Sequence, residues 1–181
     1  MKHLRLLLIG TLVNSVGSGL SAFGLAVVVL RVYGTASSVA AVQMSAFAPI
    51  VLLAPLAGVL ADRYDRRLMM MIGDAGSILG LGVILAALSS PRLSLGLICA
   101  GAGISSCLAA LTEPALRASV TDLVSEEDYV RSSGLLQLAS AAKYLLAPAA
   151  AGFLMPLVGP RGLLLLDAGT CMVTVACTLT V

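Results

Sequence analysis

Three charged residues interrupt long apolar runs of this sequence: Asp74, Lys143 and Asp167. An ionised side chain in a nonpolar medium is costly, so each must be neutral, hydrated or paired with an opposite charge. Such groups can carry a proton, bind a charged ligand or join two helices as an ion pair. For Lys143, a structural pair with Asp167 and a site for a coupling ion or an anionic substrate are equally compatible with the sequence. For Asp74, a structural pair with an arginine near the membrane surface is favoured over a proton-carrying role.

The other reactive residue types form no catalytic or metal-binding pattern. There is no Ser/His/Asp, Cys/His or phosphate-loop arrangement, and the sole histidine, His3, is at the terminus. Ser125 followed by Glu126, Glu127 and Asp128 is typical of a capped helix start rather than a metal site. The cysteines lie inside apolar runs at spacings that match neither a zinc site nor a disulfide framework, and they are Cys99, Cys107, Cys171 and Cys177. We therefore expect no enzyme activity, metal or cofactor.

The elements that hold these residues are predicted to be membrane-spanning helices. Hydrophobic residues make up 59% of the 181 positions, charged residues 11%, and the mean hydropathy is +1.05, which excludes an ordinary soluble domain. Five turn-like or polar connections, including 113–131, separate six apolar runs. The sequence thus predicts an all-α, polytopic membrane bundle that forms one unit over 1–181, with spans near 6–30, 38–61, 68–88, 93–112, 132–157 and 162–181.

The basic residues predict the orientation of this bundle. Three of them fall on one side of the predicted spans, at Arg31, Arg92 and Arg161. Seven fall on the other side, and they are Lys2, Arg5, Arg63, Arg66, Arg67, Arg117 and Arg131. Because cytoplasmic loops carry the excess of Lys and Arg, the second side is expected to be cytoplasmic, with both termini there. No basic cluster with interleaved aromatic residues indicates a nucleic-acid partner.

The sequence also repeats itself at an offset of 93 residues. Leu-Leu-Ala-Pro at 52–55 recurs at 145–148, and Asp74-Ala-Gly-Ser recurs as Asp167-Ala-Gly-Thr. Each unit has three spans, which is an odd number, so the second unit enters the membrane from the opposite side. The second unit, near 93–181, must therefore be inverted relative to the first, near 6–88. Asp74 would then lie near the cytoplasmic face and Asp167 near the outer face. Inverted repeats are the basis of alternating access in transporters, which makes transport the leading hypothesis.

The connection between spans two and three resembles the G-x-x-x-D-R-x-G-R-R signature of the major facilitator superfamily. Asp65 stands where the signature has glycine, and an aspartate tolerates left-handed backbone geometry there better than most residues. The matching residues are Gly58, Asp62, Arg63, Arg66 and Arg67. The resemblance implies that Asp62 and the arginines bind neighbouring helix ends and close a cytoplasmic gate, with Glu113 as an arginine partner. The alternative is a solvated loop with only a topological role.

Span five resembles the G-x8-G-x3-G-P-x2-G-G motif of drug/proton antiporters at Gly134, Pro148 and Gly152, with Lys143 in place of a glycine. Together with the segment 114–137, the chain is similar to the first half of a macrolide-efflux-type facilitator. This resemblance implies proton-coupled efflux of a hydrophobic or amphipathic small molecule. Family members often carry an acid near Ser18, and this sequence has none there.

Polar residues at helical spacing predict the walls of a central cavity. The candidates, besides Thr11 and Thr112, are Asn14, Ser18, Ser21, Ser105, Ser106, Gln137 and Tyr144. For any single Ser or Thr, packing between helices or bonding to its own helix is the alternative.

These features predict a multi-pass protein of the cell membrane whose partners are the lipid bilayer, a small-molecule substrate and protons. Six spans are half of the twelve that transport in this family requires, so the chain is expected to be incomplete. A second six-helix half or a homodimer partner would then complete it. A half-length fragment or assembly partner that does not transport, and a facilitator-type importer, are the alternatives.

Overall fold

The computed structural model describes residues 2–90, 92–123 and 126–179, with side chains for 9–90, 92–119, 134–135, 137–138 and 140–179. This part of the chain is helical and holds no strand. Its elements are α1 (Lys2–Tyr33), α2 (Ala36–Arg63), α3 (Arg66–Ser89), α4 (Leu95–Ala109), α5 (Thr112–Leu123) and α6 (Glu126–Leu179). The predicted cap at Ser125 and the side chains of Lys2, Arg5 and Arg131 lie outside the described residues.

Short capped turns join the first three helices. Gly34 ends α1 in the left-handed region, at φ 67°, where its N–H donates to the Leu30 carbonyl at 2.9 Å. Thr35 then caps α2. Asp65 caps α3, because its carboxylate accepts from the backbone N–H of Arg67 at 2.8 Å. The expectation that Asp65 supports a left-handed turn is wrong, since its φ is −60° and the cap itself explains an aspartate there.

The polar stretch after span four is helical where the structure describes it, which corrects its assignment as a connection. A break at 110–111 separates α4 from α5, and Pro114 explains it. Proline lacks an N–H for the carbonyl of Ala110, and its ring crowds that same carbonyl. Pro114 then lies in the first turn of α5, where a missing N–H costs nothing.

The long element α6 reverses direction at Gly159, which has φ 69° and ψ 176°, a region open only to glycine. Pro160 reinforces the break, because the residue before a proline avoids helical geometry. We call residues 126–158 the first arm and 160–179 the second arm. Contacts with α1 show the reversal. Gly24 packs on Leu163 and Gly17 on Thr170, so the second arm runs antiparallel to α1.

Glycines allow close contact in two of the helix pairs. A Cβ on Gly24 would lie 2.8 Å from Leu163, and one on Gly76 would lie 2.8 Å from Leu108, so both surfaces need the missing side chain. The first pair joins α1 to the second arm, and the second joins α3 to α4. A buried apolar cluster that includes Val29, Ile84 and Ile98 fills the space between the helices.

The outer surface of the bundle is apolar. Large side chains such as Leu52, Leu145 and Phe153 are more than 70% exposed, which suits contact with lipid rather than water. Within the described residues, five helices are long and apolar enough to cross a membrane. The last of them, Ser140–Leu179, contains the reversal at Gly159.

Candidate functional site

A cavity of about 310 Å³ opens between the helices and brings together residues that are far apart in sequence. Its volume is at the lower end of the range for small-molecule sites. The wall has apolar and polar parts. Its members are Thr11, Asn14, Ser15, Ser18, Phe47, Ile50, Met70, Asp74, Ala109, Ala110, Thr112, Glu113, Leu116, Arg117, Ser140, Lys143, Tyr144 and Thr174.

The polar face of α1 supplies one side of this cavity. Thr11, Asn14, Ser15 and Ser18 follow the three- and four-residue spacing of one helix face, and all four line the space. A hydrogen bond from the second arm orients the Asn14 side chain, because the Cys171 thiol donates to its Oδ1 at 3.3 Å. Sequence reasoning missed Ser15, although its spacing of four from Thr11 is the signal that would have found it.

Asp74 contributes a buried carboxylate to the cavity wall. Its side chain is only 2% exposed, and Oδ1 accepts a hydrogen bond from the Thr112 hydroxyl at 3.1 Å. Oδ2 is buried and has no hydrogen-bond partner among the described residues. The expected arginine pair is therefore wrong within this part of the chain. Thr112 takes the arginine's place because α5 starts directly opposite this turn of α3.

Glu113 and Arg117 form an ion pair at the same cavity. Arg117 Nη2 lies 2.8 Å from Glu113 Oε1, and Nε lies 3.2 Å from the same oxygen. Glu113 was expected to bind an arginine, and the arginine that it binds is Arg117 of its own helix rather than one of the α2–α3 connection. Because residues 112–123 are helical, Arg117 stands one turn away on the same helix and reaches Glu113 first.

Lys143 and Tyr144 lie on the first arm of α6 and also line the cavity. Lys143 Nζ is 5.9 Å from the centroid of the Tyr144 ring, within cation–π range. Asp167, on the second arm, is close enough to Lys143 for an electrostatic interaction with it. It accepts its hydrogen bond from the Ser18 hydroxyl at 3.3 Å, and no ion pair within 4 Å joins it to Lys143 among the described side chains.

Four predicted wall residues lie elsewhere. Ser21 is buried between α1 and the second arm, where it donates to the Leu163 carbonyl at 3.4 Å. Ser105 packs against Gly80, and Ser106 donates to the Ala46 carbonyl of α2. Gln137 is exposed and outside the lining. The three serines point toward neighbouring helices, which their spacing along the sequence does not reveal.

Two arginines at the start of α3 bind carbonyl groups of other helices, one in the middle of α5 and one at the end of α6. Arg66 Nη1 donates to the Ala118 carbonyl of α5 at 2.8 Å, and Arg67 donates to the Leu179 carbonyl at the end of α6. Asp62 and Arg63 are exposed. A Cβ on Gly58 would meet only open space, so close packing does not explain why this residue is a glycine.

The opposite end of the bundle carries matching contacts. Arg161 Nη2 donates to the Leu88 carbonyl of α3 at 2.8 Å, and the Tyr33 hydroxyl donates to the Leu93 carbonyl at 2.6 Å. Arg161 at the start of the second arm thus binds the end of α3. Arg67 at the start of α3 binds the end of the second arm. Sequence reasoning treated Arg161 only as a topological charge and missed this reciprocal contact.

The antiporter-like positions of α6 make few close contacts. Gly134 and Gly152 have nothing within 4 Å of an added Cβ in the described part of the chain. Pro148 lies within the helix. The close contact in this region is between α6 and α1, next to Pro148. Ala147 is fully buried, and the Lys143 carbonyl oxygen would lie 2.6 Å from a Cβ on Gly19.

The family model of the Major Facilitator Superfamily matches residues 7–181. The chain belongs to this superfamily. It is a multi-pass membrane protein of a transporter family, as the apolar helices require.

A relative extends this comparison. The chain is 24% identical over 169 residues to the "Uncharacterized MFS-type transporter YfiS" of Bacillus subtilis (strain 168). The match covers 93% of this chain and 39% of that protein, so the chain spans well under half of the relative's length.

Proposed function

We propose that this chain is the first six-helix half of a secondary transporter that moves a small amphipathic molecule by alternating access. The observation that carries the proposal is the cavity, which collects hydroxyl, amide and charged groups inside a bundle with an apolar outer surface. A polar space of this kind within a membrane protein suits a solute that must leave water and enter it again. The reversal at Gly159 supports counting α6 as two crossings.

Contacts related by the 93-residue offset support inverted repeats. Asp74 accepts from Thr112, and Asp167 accepts from Ser18, one position away from the residue that the offset assigns. The contact of Arg161 with Leu88 lies one and two positions away from the residues that the offset assigns to Arg67 and Leu179. Two similar units of opposite direction would give the bundle two conformations of similar energy.

The excess of basic residues at the end that carries the α2–α3 connection supports an orientation with both termini in the cytoplasm of a cell membrane. Arg66 and Arg67 would then close the cytoplasmic side by binding the middle of α5 and the end of α6. Proton-coupled efflux of a macrolide-like or other amphipathic compound is the direction and substrate class that the sequence resemblance supports.

A second candidate is a half-length fragment that does not transport by itself. The specific observation in its favour is that the match covers only 39% of the relative. A second six-helix half, or a second copy of the chain, would then complete the transport path.

The test is proton-driven flux in proteoliposomes. The purified chain would be reconstituted alone and together with the second half of a facilitator, in vesicles loaded with a panel of amphipathic fluorescent compounds. The proposal expects movement of at least one compound that stops when an ionophore collapses the proton gradient. Flux only with the second half present supports the half-transporter. No flux in either preparation, with the protein correctly inserted, refutes transport by this chain.

A further inference from the structure

A hydrogen bond between Cys171 of the second arm and Asn14 of α1 fixes the orientation of an amide group. Cys171 is 3% exposed, and its thiol donates to Asn14 Oδ1 at 3.3 Å. Because sulfur is a weak acceptor, an amide oxygen on the thiol hydrogen is favoured over an amide NH2 group on the sulfur. The end of the amide that faces the second arm is therefore the oxygen.

The other end of this amide, Nδ2, is open to the cavity. Asn14 lines the cavity and makes no further hydrogen bond to the described residues. Among those residues, the buried side-chain nitrogen or oxygen without a partner is Asp74 Oδ2, so the unpartnered Nδ2 group of Asn14 is not sealed in the interior. An amide NH2 group has two N–H donors and is no acceptor. Asn14 thus offers the cavity a neutral donor.

Hydroxyl groups on the same wall lack this selectivity. Ser18 and Thr112 already donate their single hydrogen to aspartates of the protein, so they offer the cavity an oxygen acceptor. The Ser15 hydroxyl makes no hydrogen bond to the described residues and is free to rotate, so it suits a donor and an acceptor equally. The amide of Asn14 differs from them because the thiol of Cys171 holds it in one orientation.

The charges of the wall do not select a charged molecule. Its members include two acids, Asp74 and Glu113, and two bases, Arg117 and Lys143. Glu113 and Arg117 also bind each other at 2.8 Å. Apolar side chains such as Phe47 form another part of the wall. A neutral molecule with an apolar body and an accessible oxygen acceptor is therefore complementary to this cavity.

We propose that Asn14 determines specificity in this cavity by donating from Nδ2 to a neutral carbonyl or ether oxygen of the substrate, and that Cys171 is its positioning residue. Without the thiol the amide is free to turn, and its oxygen then faces the cavity for part of the time. This inference concerns the substrate of the same cavity and so rests on the proposed function. Equilibrium binding tests it without flux, so loss of transport and loss of binding are separate results.

The experiment uses the fact that Asn14 is the only asparagine among the 181 residues. Asparagine labelled with nitrogen-15 in its side chain thus places one labelled NH2 group in the full chain, which is studied in phosphatidylcholine nanodiscs by proton–nitrogen NMR. The probe is isobutyrophenone, a neutral ketone. Isobutylbenzene is the matched control, because it has a CH2 group in place of the carbonyl. We expect the ketone, and not the hydrocarbon, to shift an Asn14 NH2 proton downfield until the shift saturates. Equal shifts with both compounds, or no saturable shift with the ketone, would overturn the donor role.

Variants of Cys171 test the positioning role by the same titration. Cys171→Ala removes the hydrogen bond to the amide, and we expect the ketone to bind about two- to tenfold more weakly. Cys171→Ser keeps a donor in the same place, so its affinity should stay within about twofold of the original chain. Cys99→Ala is the matched control, since Cys99 packs against the apolar cluster, does not line the cavity and should leave the affinity unchanged. Equal affinities of Cys171→Ala and Cys99→Ala would refute positioning by the thiol.

A measurement on the original chain covers the case in which Cys171→Ala does not fold. Nuclear Overhauser contacts report which groups lie near the labelled NH2 protons. We expect contacts with water in the cavity and only weak contacts with the β-protons of Cys171, because the amide oxygen lies on that side. Strong contacts with those β-protons, or none with water, would place the NH2 group against the second arm and overturn the proposal.

Discussion

Replacing Gly80 with alanine should force α3 and α4 apart. A Cβ at this position would lie 2.5 Å from the Gly101 carbonyl oxygen and 2.6 Å from the Ser105 Cβ. Ordinary contact begins near 3.4 Å, so the helices must separate by nearly 1 Å. Because one obstacle is backbone, a side-chain rotation cannot relieve the clash. Overpacking of this kind costs about 1–3 kcal/mol.

The matched control is Gly82→Ala on the same helix. Gly82 is exposed, and an added Cβ there would meet nothing within 4 Å. Both substitutions gain the same stability from helix propensity, about 1 kcal/mol, so the difference between their free energies of unfolding measures the cost of the clash. We expect Gly80→Ala to be less stable than Gly82→Ala by about 1–3 kcal/mol, or roughly 2–12 °C in Tm.

Thermal unfolding in detergent, followed with a thiol-reactive dye, suits this chain. Cys107 is exposed and is replaced with serine in every variant, so that Cys171, which is buried in the folded protein, reports the opening of the bundle. A Tm for Gly80→Ala equal to or above that of Gly82→Ala would refute the argument that the contact between α3 and α4 requires a glycine at position 80.

Three further predictions address the turns and the α2–α3 connection. Gly159→Ala should lower the stability by about 1–3 kcal/mol, because φ 69° with ψ 176° is a glycine-only region, whereas Gly169→Ala, with open space around it, should not. Asp65→Ala should cost about 0.5–2 kcal/mol through loss of the α3 cap, and Asp65→Asn clearly less; equal losses in thermal unfolding would contradict the capping role. Arg66→Ala removes the donor to the Ala118 carbonyl and should reduce proteoliposome flux more than membrane insertion. Full flux from a normally inserted Arg66→Ala chain would count against a gating role.

Sequence patterns located the helices better than the partners of individual side chains. The boundaries of α2 and α3 agree with the predicted spans to within a few residues, because an apolar run between turns leaves few alternatives. The polar stretch that begins at Glu113 was misassigned, since low hydropathy excludes a membrane span but not a helix. Asn14 and Ser18 line the cavity, whereas Ser106 donates to a carbonyl of α2, and a role of any of them in substrate binding stays a prediction.

The sequence by itself determined an all-helical membrane protein and its family. Helix formation, apolar surface and the spacing of the signature residues are local properties, and they need no knowledge of which helix contacts which. Only the tertiary structure decided the partners. Arg117 rather than a distant arginine binds Glu113, and Thr112 rather than an arginine binds Asp74. The physical reason is that an ion pair or a hydrogen bond depends on distances of a few ångströms between helices, and the order of residues along the chain does not fix those distances.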